Sequence, residues 1–274
     1  MKLIVRADDF GITDGVTWGA LRAMREGIAT STGVMTNMPS SVAACEQARL
    51  HSELCFGQDI NIATGRCVAP IGCVQSMVTD EKGTFRRSPI IRNLVKCGEE
   101  PFPYREVRSE VEAQLARFEE LVGRKPAYLN GHAFRSPNFS RALSDVADEH
   151  GIVCMDRIVE RFDLESLGFA GSARFAQGWY RTPFTLDTQL KTDAEAFFIE
   201  HFDELLGREY SYIICHPGYI DADLMTCSSL NLVRMRDLQM CVSPHIRELL
   251  ERHGVELMTI SEFCEEQGYG TGLA

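Results

Sequence analysis

The chain has 274 residues, 45% apolar and 24% charged, with 28 Lys and Arg against 39 Asp and Glu for a formal net charge of −11. That length and balance suit one large α/β domain with a full core, and they exclude fibrous, collagen-like and disordered classes. The acidic balance speaks against nucleic acid as a partner, since such binders need a basic stripe, and no window approaches the roughly 20 apolar residues of a membrane span.

KLIVRA (2–7) is an apolar, β-branched run that stops at charge, which predicts a buried strand. Thr13 or Asp14 caps a helix with Val16, Ala20, Ala23 and Met24 on one face and Gly27 as its stop. GVMTN (33–37) reads as a strand, Ser40 or Ser41 opens a helix towards Leu50, and CFGQDINIA (55–63) is a third strand. Residues 64–104 carry Gly and Pro without a clean period and read as an irregular excursion. Val107, Val111, Leu115, Phe118 and Val122 then recur at helical steps, with Gly123 as a stop. AYLNGH (127–132) is a strand, 140–150 a helix ended by Gly151, and IVCM (152–155) another strand. Residues 160–185 fit no single element, 193–207 reads as a helix, and YSYIICH (210–216) as a strand. A helix near 242–253 and the strand VELMTI (255–260) finish the pattern. Such alternation predicts a parallel sheet closed, or nearly closed, into a barrel. No repeat, low-complexity stretch or linker divides it, so 1–274 reads as a single domain.

The ten cysteines, at 45, 55, 67, 73, 97, 154, 215, 227, 241 and 264, form no C-x₂-C pair or zinc-finger frame. Several lie in apolar runs, such as Cys154 and Cys215, where a thiol acts as a small hydrophobe. Free thiols in a reducing compartment, together with an N-terminus lacking a signal-peptide apolar region, predict a cytoplasmic address.

Four polar clusters end predicted strands: Asp8-Asp9, Asp59-x-Asn61, Asn130-x-His132 and His216-Pro217-Gly218. An arbitrary Asp pair more often caps a helix in a solvated turn, and a lone histidine is more often structural. Shared placement is what lifts these, because strand ends of a parallel barrel converge on one rim. Continued strand geometry would send Asp8 and Asp9 to opposite sides of the pleat. Two carboxylates with an imidazole make a hard, oxygen-rich site suited to Mg²⁺, Mn²⁺ or Zn²⁺. A metal there polarises a carbonyl and acidifies water while a nearby acid or base moves protons, which is hydrolytic chemistry. G-x-S-x-G, P-loop, dinucleotide-binding and H-E-x-x-H motifs are absent. The other histidines, 51, 150, 201, 245 and 253, read as surface groups, while Trp18, Trp179, Tyr180 and Phe134 serve equally as sugar platforms or core.

IVRADDFGIT followed by GIATSTGVMTNMPS resembles the opening of the YdjC-like carbohydrate deacetylases, of the form I-V-N-A-D-D-F-G then G-I-x-T-S-T. In order along the chain, FGQDINIATGR is similar to a G-x-H-x-N-L-T-x-G segment and DEKGTF to a D-x-x-G-x-F element. EVEAQLARFEELVGRKPAYLNGH resembles the E-x-x-x-Q…G-x-x-P-x-H-x-D-S-H stretch. CHPGYID resembles C-H-P-x-x-x-D, and SSLNLVRMRDLQMCVSP resembles R-x-x-E-L-x-x-L-x-S. The likeness runs from residue 3 to about 262. It implies a deformed (β/α) TIM-like barrel that hydrolyses the N-acetyl group of an amino sugar or oligosaccharide with a divalent metal ion. It assigns Asp9 and His132 to the metal, Asp8 to the general base, and His216 to proton donation or oxyanion stabilisation. Arg157 takes the place of a family arginine that orients substrate or Asp8, and Asn61 and Asn130 are supporting positions.

The departures fall on the metal. Asp59 stands where the family has a histidine, so the implied ligand set becomes Asp9, Asp59 and His132. Tyr128, Asn130 and Phe134 replace two histidines and an acid of H-x-D-S-H-x-H. A catalytically lapsed sugar-binding or regulatory protein on the same scaffold is therefore one alternative. A metal hydrolase of another bond, such as a phosphoester, is a second, and no Arg/Lys phosphate cradle is visible for it. A homo-oligomeric assembly stays open.

Overall fold

The computed structural model describes residues 1–164, 179–180 and 183–269. β1 (Lys2–Phe10) is buried from Leu3 onward. The hydroxyl of Thr13 accepts from the Val16 N–H and so caps α1 (Asp14–Glu26), satisfying a donor that the first turn leaves unpaired. β2 (Ser31–Val34), α2 (Ser41–Leu50) and β3 (Cys55–Ile60) follow. The excursion contains one 3₁₀ turn, Ile71–Cys73, and α3 (Ser88–Lys96). This helix was not expected: nine residues are too short a window to show a period among flanking Gly and Pro.

α4 (Tyr104–Val122) buries all five residues of its predicted stripe and stops at Gly123, whose φ of 82° is left-handed. Then come β4 (Tyr128–Gly131), α5 (Pro137–His150), β5 (Val153–Cys154) and α6 (Met155–Phe162). Most of the unassigned stretch that begins at 160 lies outside the described residues. α7 (Leu186–Leu190) precedes α8 (Ala194–Glu200) and α9 (Phe202–Leu206), so the single helix expected over 193–207 breaks at His201. The chain ends with β6 (Tyr210–Cys215), α10 (Ala222–Cys227), α11 (Val233–Cys241), α12 (Pro244–Arg252), β7 (Glu256–Leu257) and α13 (Ile260–Glu266).

Every strand pair is parallel, in the order β5-β4-β3-β2-β1-β6, with β7 also pairing β1. The arrangement is the expected barrel-like α/β sheet, not closed between β5 and β6 among the described residues. Alternation along β1 sends Leu3, Val5 and Ala7 into the core beneath the helices. Ile4 joins Cys55, Tyr128, Tyr212 and Phe263 on the other face. A second core lies around α4 and α5 and takes in the excursion through Val74, Met77, Phe85 and Ile91. Buried Glu110 of α4 ties the excursion down by accepting from the N–H groups of Val68 and Ala69, both at 2.9 Å. All ten cysteines are free. Among the described residues no helix is long and apolar enough to cross a membrane.

Candidate active site

The pairing of β1 with β2 shifts register between Ala7 and Phe10, where β1 spends one residue more than its partner. Asp9 absorbs this bulge at φ 70°, a left-handed conformation that Asp tolerates better than most residues. The two acids are therefore aimed by the bulge and not by simple strand alternation. Arg6 grips Asp8 with a fork, Nε to Oδ1 at 2.6 Å and Nη2 to Oδ2 at 2.8 Å. The same guanidinium lies over the Tyr212 ring, 5.6 Å from its centroid. Asp9 Oδ2 accepts from Arg234 Nη2 of α11 at 2.5 Å, and its Oδ1 lies 2.9 Å from His132 Nδ1. Burial works against an ionised Asp9, but His132 and Arg234 together hold its carboxyl well below the usual carboxylate range. Burial likewise opposes the charged His132, and the carboxylates of Asp9, Asp59 and Asp8 together outweigh it, so the imidazole is raised.

Asp59 reaches the same centre from β3, fully buried. Its Oδ2 accepts from the Asp9 N–H at 3.1 Å and its Oδ1 from Asn130 Nδ2 at 2.6 Å. Asn130 Oδ1 in turn accepts from Arg135 Nη2 at 2.9 Å. Burial, then the nearby Asp8, pushes the Asp59 carboxyl up to about 6. Asn61 does not reach the cavity lining: its side chain organises the following loop through Ala63 N, Thr64 N and Thr64 O. Arg157 is also displaced from its expected place. It lies on α6 in an exposed ion pair with Asp148, because the chain turns into helix immediately after β5 and carries it outward. Arg6 stands where the resembling opening has Asn, and Arg6 and Arg234 are the guanidiniums that meet the acids.

His216 follows β6 and lines the same cavity as Asp8, Asp9, His132 and Arg234, a space of about 940 Å³. Its Nδ1 is 2.8 Å from the Tyr180 hydroxyl, which donates to Asp237 Oδ2. Asp237 also accepts from the His216 backbone N–H at 2.7 Å and from Trp179 Nε1 at 3.0 Å. Burial pushes His216 down to about 4, and burial pushes Asp237 up to about 6. Tyr180 and Phe134 line the cavity, Trp179 is core, and Trp18 stands 53% exposed on α1. Sequence reasoning assigned no role to Arg234 or Asp237, although they occupy the Arg and acidic positions of the R-x-x-E-L likeness. Arg87 and Arg92 of the excursion join Arg6, Arg135 and Arg234 around the cavity. The expectation of no arginine cradle is thus corrected, since residues far apart in sequence build this one.

Among the described residues no three His, Cys, Asp or Glu side chains converge as a ready metal-ligand set. Asp9 and His132 fit as two of its members. Asp9 Oδ1 is buried without a well-aligned donor, and His132 Nδ1 stands beside it at the spacing of neighbouring ligands on one cation. Asp59 lies at the same centre, each of its oxygens accepting one protein hydrogen bond. It contributes negative charge to the centre.

A family model described as YdjC-like protein matches residues 2–252. The chain is 27% identical over 262 residues to carbohydrate deacetylase 2 of Listeria innocua, covering 94% of this chain and 97% of that one. It is 28% identical to a carbohydrate deacetylase of Vibrio cholerae, covering 95% and 96%. It is also 28% identical to a chitooligosaccharide deacetylase of Yersinia enterocolitica, covering 95% and 98%. A solved structure from Enterococcus faecalis, provisionally named a cellobiose-phosphate cleavage protein, superposes with a TM-score of 0.73 at 24% identity, covering 94% of this chain and 97% of that one. A family 4 acetyl xylan esterase from Clostridium thermocellum, solved with a cobalt ion, gives 0.51 at 12% identity, covering 98% and 92%. Both structures share the fold.

Proposed function

We propose that this chain, which belongs to the YdjC-like protein family, hydrolyses the N-acyl group of an amino sugar or short oligosaccharide. One observation carries the reading: Asp8, Asp9, His132 and His216, from the ends of three different strands, line one cavity of about 940 Å³. That volume is in the range of small-molecule sites. The carbohydrate deacetylases that align along nearly the whole chain support the reaction class.

Asp9 and His132 are the residues that would hold a divalent cation, with Arg234 fixing the Asp9 carboxylate from the other side. Such a cation, when bound, supplies Lewis-acid polarisation of the acyl carbonyl. Arg234 and Arg6 add fixed positive charge near an oxyanion. Phe134 offers an apolar wall to a sugar ring, and Asp8 and His216 flank the space where water and amide meet. The free thiols agree with work in a reducing, cytoplasmic setting.

The test is acetate release from a panel of N-acetylated glucosamine monomers and oligomers, with Mg²⁺, Mn²⁺ or Zn²⁺ supplied. Turnover that Asp9→Asn reduces by two orders of magnitude or more, on the order of a lost electrostatic stabiliser, is expected. No acetate from any member of the panel overturns the proposal.

A further inference from the structure

We propose that Arg92, on α3 of the excursion, is a positioning residue for His132. It holds the strained turn that follows His132, so the Asp9–His132 pair is set for a cation only while α3 is docked on the barrel. This rests on that pair as the cation-holding pair of the N-acyl hydrolase reading. It goes beyond that reading by coupling the pair to a segment that supplies no ligand.

The sheet holds His132 from one side. Its N–H donates to the Ile60 carbonyl at 2.9 Å, and the chain then turns towards Ser136, the cap of α5. The Phe134 N–H closes that turn on the His132 carbonyl at 2.9 Å, with Ala133 between them at φ 70°. Such a bond around a left-handed residue is the rarer, strained hand of the γ-turn. Asp9 adopts the same φ with a short polar side chain that suits it, whereas Ala133 has only a methyl group. A conformation of this kind persists where its surroundings impose it.

Two guanidiniums impose it here. Arg135 Nη1 donates to the carbonyl of Gly131 and, at 3.0 Å, to that of Phe134. The carbonyl of Ala133 itself accepts from Arg92 Nε at 3.0 Å. Arg135 belongs to the local segment, but Arg92 comes from α3, 41 residues away. Glu100, just beyond α3, makes a second tie by accepting from the Ser136 hydroxyl at 2.6 Å and the Asn138 N–H at 2.9 Å. The excursion thus braces the stretch after His132 at two points. Releasing the Ala133 carbonyl lets its peptide leave the left-handed region, and the carbonyl side of His132 loses its fixed direction.

The charge of Arg92 acts in the opposite sense. Its guanidinium lines the same cavity and interacts with the Asp9 carboxylate, and a fixed positive charge opposes the uptake of a cation. Charge alone would make binding tighter when Arg92 is removed; positioning makes it weaker.

The experiment titrates the full chain with Mn²⁺ and with Zn²⁺ by calorimetry, without substrate. Arg92→Ala is expected to weaken binding about 10-fold, as loss of a group that orients a metal ligand does, with the urea midpoint unchanged. On an Ala133→Gly background, where the left-handed φ carries no penalty, Arg92→Ala is expected to change affinity less than twofold. Coupling is reciprocal, so saturating ion should slow amide exchange across 88–97 in the parent and not in Arg92→Ala. Unchanged or tighter binding by Arg92→Ala, an equal loss on both backgrounds, or exchange that the ion leaves alone in the parent overturns the proposal. So does a parent that takes up neither ion. A parent that shows the coupling yet releases no acetate from N-acetylglucosamine oligomers keeps the positioning role, and the hydrolase reading alone fails.

Discussion

Arg6 and Asp8 stand two residues apart on one face of β1 and meet through two parallel hydrogen bonds inside the barrel, with Arg6 only 3% exposed. Removing one partner of such a pair strands the other charge in a medium that solvates it poorly. Arg6→Ala is therefore expected to cost about 3 kcal/mol of stability. Arg6→Ala with Asp8→Asn should recover the larger part, because no unpaired charge remains. Urea unfolding midpoints of the two variants measure both values.

Asp59 accepts from the Asp9 N–H through one oxygen and from Asn130 through the other, beside the Asp9–His132 pair. Asp59→His puts a neutral nitrogen donor there and lowers the negative charge of the centre. Affinity for Zn²⁺ or Mn²⁺ should rise by about tenfold or more, read by calorimetric titration of parent and variant. Equal affinities would show that position 59 lies outside the reach of the cation.

Asp237 has a pH signature. Burial raises its folded value to about 6, against 3.8 for an ordinary carboxyl. The folded protein thus holds this proton more tightly than the unfolded chain. The resulting stability is fully present below the ordinary value and is lost as pH rises through about 6. Asp237→Asn cannot titrate, so its stability relative to the parent should improve by about 2 kcal/mol between pH 4 and pH 7. Denaturant curves at the two pH values check the sign.

Gly33 keeps the floor under Asp59. A Cβ there would lie 2.3 Å from the Asp59 Cγ and Oδ1 atoms. Gly33→Ala should therefore push the carboxylate off its two donors at a cost of about 1–3 kcal/mol. Gly72, with open space around it, is the control, and Gly72→Ala should stay within about 0.5 kcal/mol of the parent. Thermal unfolding separates the two.

The strands that carry Asp59, Asn130 and His216 were readable because apolar runs ended abruptly in polar residues, and α4 because five apolar residues kept helical step. The Asp8-Asp9 pair misleads for a physical reason. The strand reads as stopping at these charges after Ala7, yet β1 continues to Phe10 because Arg6 pairs with Asp8 within the barrel. The bulge at Asp9 left no mark in the sequence, since its cause is register against β2. Tyr180, legible only as a sugar platform or core residue, and Arg234 could not be placed at the site because neither ends a strand. One lies within a stretch with no readable period, the other on a nine-residue helix, and both meet partners tens to hundreds of residues away. Arg157 shows the converse, a residue placed by likeness that a two-residue strand and an early helix carry to the surface.

β1 takes its neighbours from far-separated parts of the chain, β2 on one side and β6 on the other. β1 pairs with β2 soon after synthesis, but its other edge waits for Tyr210–Cys215, and Asp9 waits for Arg234. Until then a nascent chain presents an open row of backbone donors and acceptors beside an Asp9 without its arginine, the kind of edge that recruits foreign strands. A product that terminates before residue 210 should accordingly be insoluble or chaperone-bound. Termination ahead of β6 is therefore no milder than an earlier one, because β6 and α11 complete what β1 begins.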